Sequence, residues 1–241
     1  MPAHAGIHER HRHNPRMTEI LLAWSGGKDA AWTLYQLRAR TDVRVVGLLT
    51  TVTADHDRVA MHGIRRDVLH AQAAAVGLPL LESTIRAGAD NDAYEAAFAE
   101  TLREAGARWP GLDTIAYGDL KLADVRAWRE ALCRRHGWKI TTPLFGADTR
   151  QLAREMIVGG LQPRLCCVDT TQLDARYAGR RLDASLLADL PEGCDPCGED
   201  GEFHTLVTDG PMFQQPLRVE QGQTVLRDGR FAFTDFRLAR A

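Results

Sequence analysis

Long apolar runs are missing from this chain. No stretch approaches the ~20 consecutive apolar residues that a membrane-spanning helix needs, so no membrane partner is expected. Lysine is almost missing too: of 30 Lys and Arg residues, the lysines are Lys28, Lys121 and Lys139. Nor is charge of one sign in excess. A formal net charge of −2 gives no electrostatic case for nucleic acid or an anionic surface. No basic tract interleaved with aromatics marks a nucleic-acid footprint. The stretch 1–16 carries His4, His8, His11 and His13 but lacks the apolar core of a secretory leader. A His-rich tract can bind metal, but a disordered extension is expected, or an upstream start codon with Met17 as the working start. The cysteines number 5. An odd count without a leader points to a reducing compartment, and cytoplasmic localisation is expected.

What is present centres on Ile20 to Ala30. Ile20 to Trp24 has the length and character of a buried strand. The chain then turns through Ser25, Gly26 and Gly27 and resumes with helical spacing from Lys28, at Ala31, Leu34, Tyr35 and Leu37. Such a strand–turn–helix makes an anion site. Glycines let the backbone approach closely, the first helical turn has N–H groups without partners, and the helix dipole favours negative charge there. The spacing is neither that of the Walker loop nor that of the dinucleotide fingerprint.

The rest of residues 17–142 alternates strand and helix. Strands are expected near Val43–Thr50, Leu78–Ser83, Asp113–Gly118 and Trp138–Thr142. Helices are expected from Lys28 to Arg40, Ile64 to Val76, Asp92 to Ala105 (capped by Asn91 or Asp92) and Ala123 to Arg135. Thr51 to Met61 reads as a polar loop. This rhythm predicts an α/β fold with a doubly wound parallel sheet. Ligands in such sheets sit at the carboxyl ends of the strands, where Ser25, Thr50–Thr53, Ser83 and Gly118-Asp119 are expected to gather. From Pro143 the rhythm changes. Residues 143–241 are expected to form a smaller mixed α/β domain, with helices at Thr149–Val158 and Arg181–Leu190 and strands at Arg164–Asp169, Phe203–Thr208, Leu217–Leu226 and Phe231–Leu238. The cleft between domains is the expected ligand position.

A second stretch, Gly193 to Thr205, places Glu199, Asp200, Glu202 and His204 within six residues, punctuated by Gly198 and Gly201. Carboxylates this dense beside a strand suit cation binding or general-base work; a solvated acidic turn is the alternative. Alternation along a strand puts Glu202 and His204 on one face and Phe203 on the other.

Ser25-Gly26-Gly27-Lys28-Asp29 resembles the pyrophosphate loop of the ATP pyrophosphatase superfamily, with Ala30 where a serine is usual. Four motifs in order, this loop, Met61-His62-Gly63, Gly118-Asp119 with Asp124, Arg126, Arg129 and Glu130, and Gly198-Glu199 with Gly201-Glu202-Phe203-His204-Thr205, together resemble the diphthine–ammonia ligase family. The resemblance covers Met17 to about Val219. It implies a Rossmann-like, pyrophosphate-loop ATPase type of domain with a smaller second domain. The implied activity is adenylation of a carboxylate by ATP, then displacement of AMP by ammonia, on a modified histidine of a translation elongation factor. ATP with Mg²⁺ is the implied cofactor; ATP, ammonia and that elongation factor or another carboxylate acceptor are the implied partners. Ser25, Gly26, Gly27, Lys28, Asp29, Met61, His62, Gly118 and Asp119 are the expected nucleotide-binding residues. Glu199, Glu202 and His204 are the expected catalytic ones, and no resident metal site is expected.

Two other readings share parts of this pattern. Cys194 and Cys197, with Cys166 and Cys167, offer half of a zinc site or a redox pair. The latter would suit an AMP-forming enzyme on another acceptor, as in tRNA thiolation. Ala30 is the argument for a non-catalytic module that only binds adenine nucleotide.

Overall fold

The computed structural model describes residues 17–59 and 62–240. The stretch 1–16, with its expected disordered extension, and Met61 lie outside them. Thr18–Ala23 (β1), Val43–Thr53 (β2), Leu80–Ile85 (β4), Thr114–Ala116 (β5) and Lys139–Thr141 (β6) form a parallel sheet in the order β4-β2-β1-β5-β6. Strand order reverses at β1, so a crevice opens beyond its carboxyl end.

The strand pattern explains the winding. Successive residues of a strand point to opposite faces. Leu22 and Leu48 join the core beneath Lys28–Arg38 (α1) and Arg66–Val76 (α2), with Leu34, Leu37, Val68 and Leu69. Their neighbours Leu21 and Leu49 join the core beneath Asn91–Arg108 (α3) and Ala123–Arg135 (α4), with Phe98, Leu102 and Leu132. Both faces of the sheet are therefore covered, as its near-continuous apolar strands require.

Several local expectations are corrected. β2 runs on through the β-branched Thr51, Val52 and Thr53, and Arg58–Val59 (β3) pairs back on it antiparallel inside the stretch expected to be a loop. Because β4 occupies one edge of β2, β3 fills the other edge just past β1. The cap of α3 is Asp90, whose Oδ1 accepts from Ala93 N at 2.9 Å, rather than Asn91 or Asp92. The helix expected at 181–190 is reduced to Ala184–Asp189 (α6). Asp183 caps it by accepting from Leu186 N, and Leu190 is already extended ahead of Pro191.

The second sheet is antiparallel, in the order β8-β7-β10-β9: Phe203–Val207 (β8), Pro163–Asp169 (β7), Phe231–Leu238 (β10) and Val219–Arg227 (β9). Thr149–Val158 (α5) precedes it, with Leu152, Ala153 and Met156 buried. The core under α1 and α2 continues through Cys166, Leu206, Val207 and Phe236 of this sheet. An ion cluster reinforces the junction. Asp235 of β10 accepts from Arg58 at 2.9 Å and from Arg65 at 2.8 Å through both carboxylate oxygens.

Candidate active site

The loop after β1 is fastened from two directions. Trp24 Nε1 donates to Gln72 Oε1 at 3.2 Å, and Gln72 Nε2 donates to the carbonyls of Gly26 (3.0 Å) and Val207 (2.6 Å). Val207 N also donates to Gly26 O, at 2.9 Å. Gly26 has φ +80, and a Cβ there would lie 2.6 Å from Gln72 Oε1, so the position demands glycine. Ser25 Oγ accepts from Gly27 N at 3.3 Å. At the start of α1, Lys28 N donates to Thr205 Oγ1 of β8 at 3.0 Å. The next amides, of Asp29 and Ala30, have no hydrogen-bond partner among the described residues. The loop therefore presents free donors at a helix N-terminus, where an anion is favoured.

Lys28 is 3% exposed and its Nζ donates to Asp29 Oδ2 at 2.7 Å. Burial opposes its charge, but Asp29, Cys197 and Glu199 together outweigh it and raise the Lys28 pKa, so the ammonium persists. Asp29 Oδ1 is buried without a hydrogen-bond partner. Gly118, at the end of β5, packs on this turn so closely that a Cβ would lie 2.9 Å from the Asp29 carbonyl carbon. Asp119 follows, paired with Arg129 at 2.9 Å; burial pulls its carboxyl up against that pairing.

The loop preceding β8 closes the site. Burial, then the nearby Asp29 carboxylate, pushes Glu199 up to about 7. Glu202 is 3% exposed; its Oε1 accepts from Asp195 N at 2.7 Å and its Oε2 from Asp200 N at 3.0 Å. His204 and His62 lie with ring centroids 4.7 Å apart and planes inclined by 39°. Burial lowers His62 to about 3, helped by His204, and His204 to about 4, helped by Lys28. Both rings are neutral near pH 7.

Ser25, Gly26, Gly27, Lys28, Asp29, His62, Gly118, Asp119, Glu199, Glu202 and His204 are thus all found around the end of β1, α1 and β8. Met61 is outside the described residues. Thr50 and Ser83 do not share one cluster. Thr50 registers with Glu82 and Thr51 with Ser83, so alternation sends Thr50 and Ser83 to opposite faces. Both hydroxyls are buried and unpartnered. The cysteines form no metal centre: among the described residues no group of three or more His, Cys, Asp or Glu is placed to hold an ion. Cys166 Sγ instead donates to His62 O at 3.4 Å, and Cys197 Sγ to Thr149 O at 3.3 Å.

Sequence reasoning gave no role to Gln72, Thr205, Asp195 or Lys121. Gln72 carried a signal, a polar residue amid the apolar face of α2, where it is 0% exposed. Asp195 did so less clearly. It accepts from Cys197 N at 2.8 Å and Thr149 Oγ1 at 2.9 Å, contacts that no local pattern shows.

Comparison with known proteins places residues 17–140 on the model of the diphthamide synthase N-terminal domain and residues 148–234 on that of the diphthamide synthase C-terminal domain. Among curated relatives, a diphthine–ammonia ligase of Schizosaccharomyces pombe is 26% identical over 224 residues, which is 86% of this chain and 37% of that protein. One of Homo sapiens is 26% identical over 225 residues, covering 84% of this chain and 83% of the relative. One of Danio rerio is 27% identical over 235 residues, covering 88% and 91%. The chain therefore spans little more than a third of the Schizosaccharomyces pombe protein but most of each of the two vertebrate ones.

Proposed function

The chain belongs to the diphthamide synthase family, and from that premise we propose that it is an ATP-dependent, AMP-forming ligase that converts an acceptor carboxylate to its amide with ammonia. The observation that carries this reading is the meeting of two loops. One offers free amides and a buried ammonium for phosphate; the other brings Glu199, poised near neutrality, to the same Lys28–Asp29 pair.

In the first step an acceptor carboxylate oxygen attacks the α-phosphorus of ATP. The new O–P bond forms as the bond to the β-phosphate oxygen breaks, and pyrophosphate leaves. Ser25, Gly26, Gly27, the amides of Asp29 and Ala30, and Lys28 receive the charge that develops on that leaving group. Gly118 and Asp119 wall the nucleotide side of the site, and His62 stands beside it as a neutral ring. The unpartnered Asp29 Oδ1 fits a divalent ion arriving with the nucleotide; Mg²⁺ there would neutralise phosphate charge. In the second step ammonia attacks the acyl carbon and AMP departs. Glu199 accepts the proton that the attacking nitrogen must lose, as its near-neutral pKa suits. His204, neutral and adjacent, offers a hydrogen bond to the acceptor. Glu202 acts through the loop: with both oxygens on backbone amides, it shapes the segment that carries Glu199.

The acceptor proposed is a diphthine-bearing elongation factor or another carboxylate. The thiols speak against sulfur transfer, since burial pushes Cys194 and Cys197 up to about 12, away from the reactive thiolate. We assign the nucleotide-binding part to residues 17–142 and the acceptor part to 143–241. Cytoplasmic placement is proposed because the described cysteines are all free thiols; no helix among the described residues is long and apolar enough to cross a membrane. Phosphorus NMR of ATP, Mg²⁺ and ammonium tests the reaction, with and without a diphthine-bearing elongation factor. AMP and pyrophosphate appearing with the factor support it, whereas ADP and phosphate as products would refute it.

A further inference from the structure

Both site ammonium groups are lysines in a chain that otherwise uses arginine almost throughout: Lys28 and Lys121, against the single remaining Lys139. Lys121 lies in the loop after β5. That loop is rigidly held, with Leu120 1% exposed in the core and its carbonyl accepting from Gly146 N at 2.7 Å. From it, Lys121 Nζ reaches Asp200 Oδ2 at 2.9 Å and Asp195 Oδ2 at 3.3 Å. Those two carboxylates bracket Glu199 in sequence.

We propose that Lys121 is a positioning residue: its ammonium clasps the loop carrying Glu199 to the loop after β5 and holds that carboxyl over Lys28 and Asp29. The proposal rests on the reading of Glu199 as the proton acceptor. The loop has reason to need a clasp. Asp195, Glu199, Asp200 and Glu202 place four acidic side chains within eight residues, and the amides of Asp195, Cys197 and Asp200 with the Thr149 hydroxyl satisfy only part of that charge through hydrogen bonds. A single compact ammonium can bridge two carboxylates from one point, which the planar guanidinium fork of arginine does less readily. The charges felt by Glu199 are Lys28 and Asp29 from α1, Asp195 from its own loop, and Lys121 from across the gap. Lys121 favours the ionised carboxylate and Asp29 opposes it. Loss of Lys121 therefore both frees the loop and strengthens the proton on Glu199.

The test compares Lys121→Met with wild type and with Lys121→Arg; Lys139→Met, whose lysine pairs with Asp113 away from this loop, is the control. Amide hydrogen exchange over residues 195–200 is read first. It is expected to accelerate roughly three- to ten-fold in Lys121→Met. Carbon-detected NMR titration of the Glu199 carboxyl, assigned through Glu199→Gln, is expected to move its midpoint upward from about 7 by roughly half a unit. Lys121→Arg should recover most of the midpoint but less of the exchange protection, and Lys139→Met should move neither. If Lys121→Met does not fold, Lys121→Gln replaces it. Unchanged exchange and an unmoved Glu199 midpoint in a folded variant would overturn the clasp; a moved midpoint with unchanged exchange would also overturn it, leaving Lys121 as a remote charge. Neither readout needs turnover. A wild type that makes no AMP would sink the ligase reading while leaving the clasp to be judged separately.

Discussion

In the proposed reaction Lys28 and Glu199 divide the work of the site, and their substitution is expected to separate its two halves. Lys28→Ala removes a buried cation beside the amides proposed to hold phosphate. Charge-assisted hydrogen bonds contribute about 1.5–3 kcal/mol, so ATP affinity is expected to fall roughly ten- to a hundred-fold by calorimetry. Glu202→Ala is expected to abolish turnover through disorder of the 195–200 loop while ATP affinity stays within a few-fold of wild type. An equal loss of ATP affinity in both would contradict the division. Glu199 has its own signature. Its carboxyl is raised to about 7, so the accepting carboxylate appears only as pH rises through that value. With free ammonia held constant, the rate with saturating ATP is therefore expected to climb from pH 5 to pH 8 and to lose that limb in Glu199→Gln. A limb that persists in the variant would assign the proton transfer elsewhere. The two stretches that meet were legible beforehand, because Ser25–Asp29 and Glu199–His204 are contiguous motifs. The engagement of Glu202 with Asp195 and Asp200 was not. It depends on a loop folding around its own carboxylate, and composition records only the acidity.

At the scale of elements, contacts far apart in sequence fasten the first sheet to the second. Val207 N bonds to Gly26 O, Lys28 N bonds to Thr205 Oγ1, and Asp235 gathers Arg58, Arg65 and Arg237. The alternation of apolar strands and capped helices made most elements readable in order. β3 escaped because two residues, Arg58 and Val59, carry no periodicity of their own and pair only because β2 continues past Thr50. The arginine bonds hold the Asp235 carboxyl well below the usual range. A depressed carboxyl contributes stability above its unfolded pKa and loses it as pH falls through the folded one. Asp235→Asn is accordingly expected to lower stability at pH 7 by about 1–2 kcal/mol, since the arginines are partly exposed. The difference from wild type should shrink in strong acid. Urea unfolding at pH 7 and pH 3 checks it: an equal deficit at both values would mean that shape, not charge, is at stake.

For the molecule as a whole, the shared core under α1 and α2 makes acid a global stress. His62 and His204 are depressed to about 3 and about 4 from 6.5. The unfolded chain therefore takes up protons below pH 6.5 that the folded site refuses, and stability falls as pH drops from there toward 3. The raised carboxyls of Glu199, Asp29 and Asp119 act in the opposite sense, so comparison with variants of the two rings is what isolates the histidine contribution. The melting temperature is expected to fall over that window, and less steeply in a His62→Asn, His204→Asn double variant. An unchanged slope would place the acid sensitivity outside the site. The doubly wound architecture could be read from strand–helix rhythm alone. The shared core of the two sheets could not, because it joins Leu22 and Leu48 to Leu206 and Phe236 across most of the chain.

The proposed reaction turns on adenylation of an acceptor carboxylate. The measurement closest to it follows oxygen-18 from a labelled acceptor carboxylate, presented on a diphthine-bearing elongation factor with ATP and ammonium, into the released nucleotide by mass spectrometry. Transfer of one label to AMP, with unlabelled pyrophosphate, is the predicted result. Label recovered in inorganic phosphate alongside ADP would rule out the adenylated intermediate.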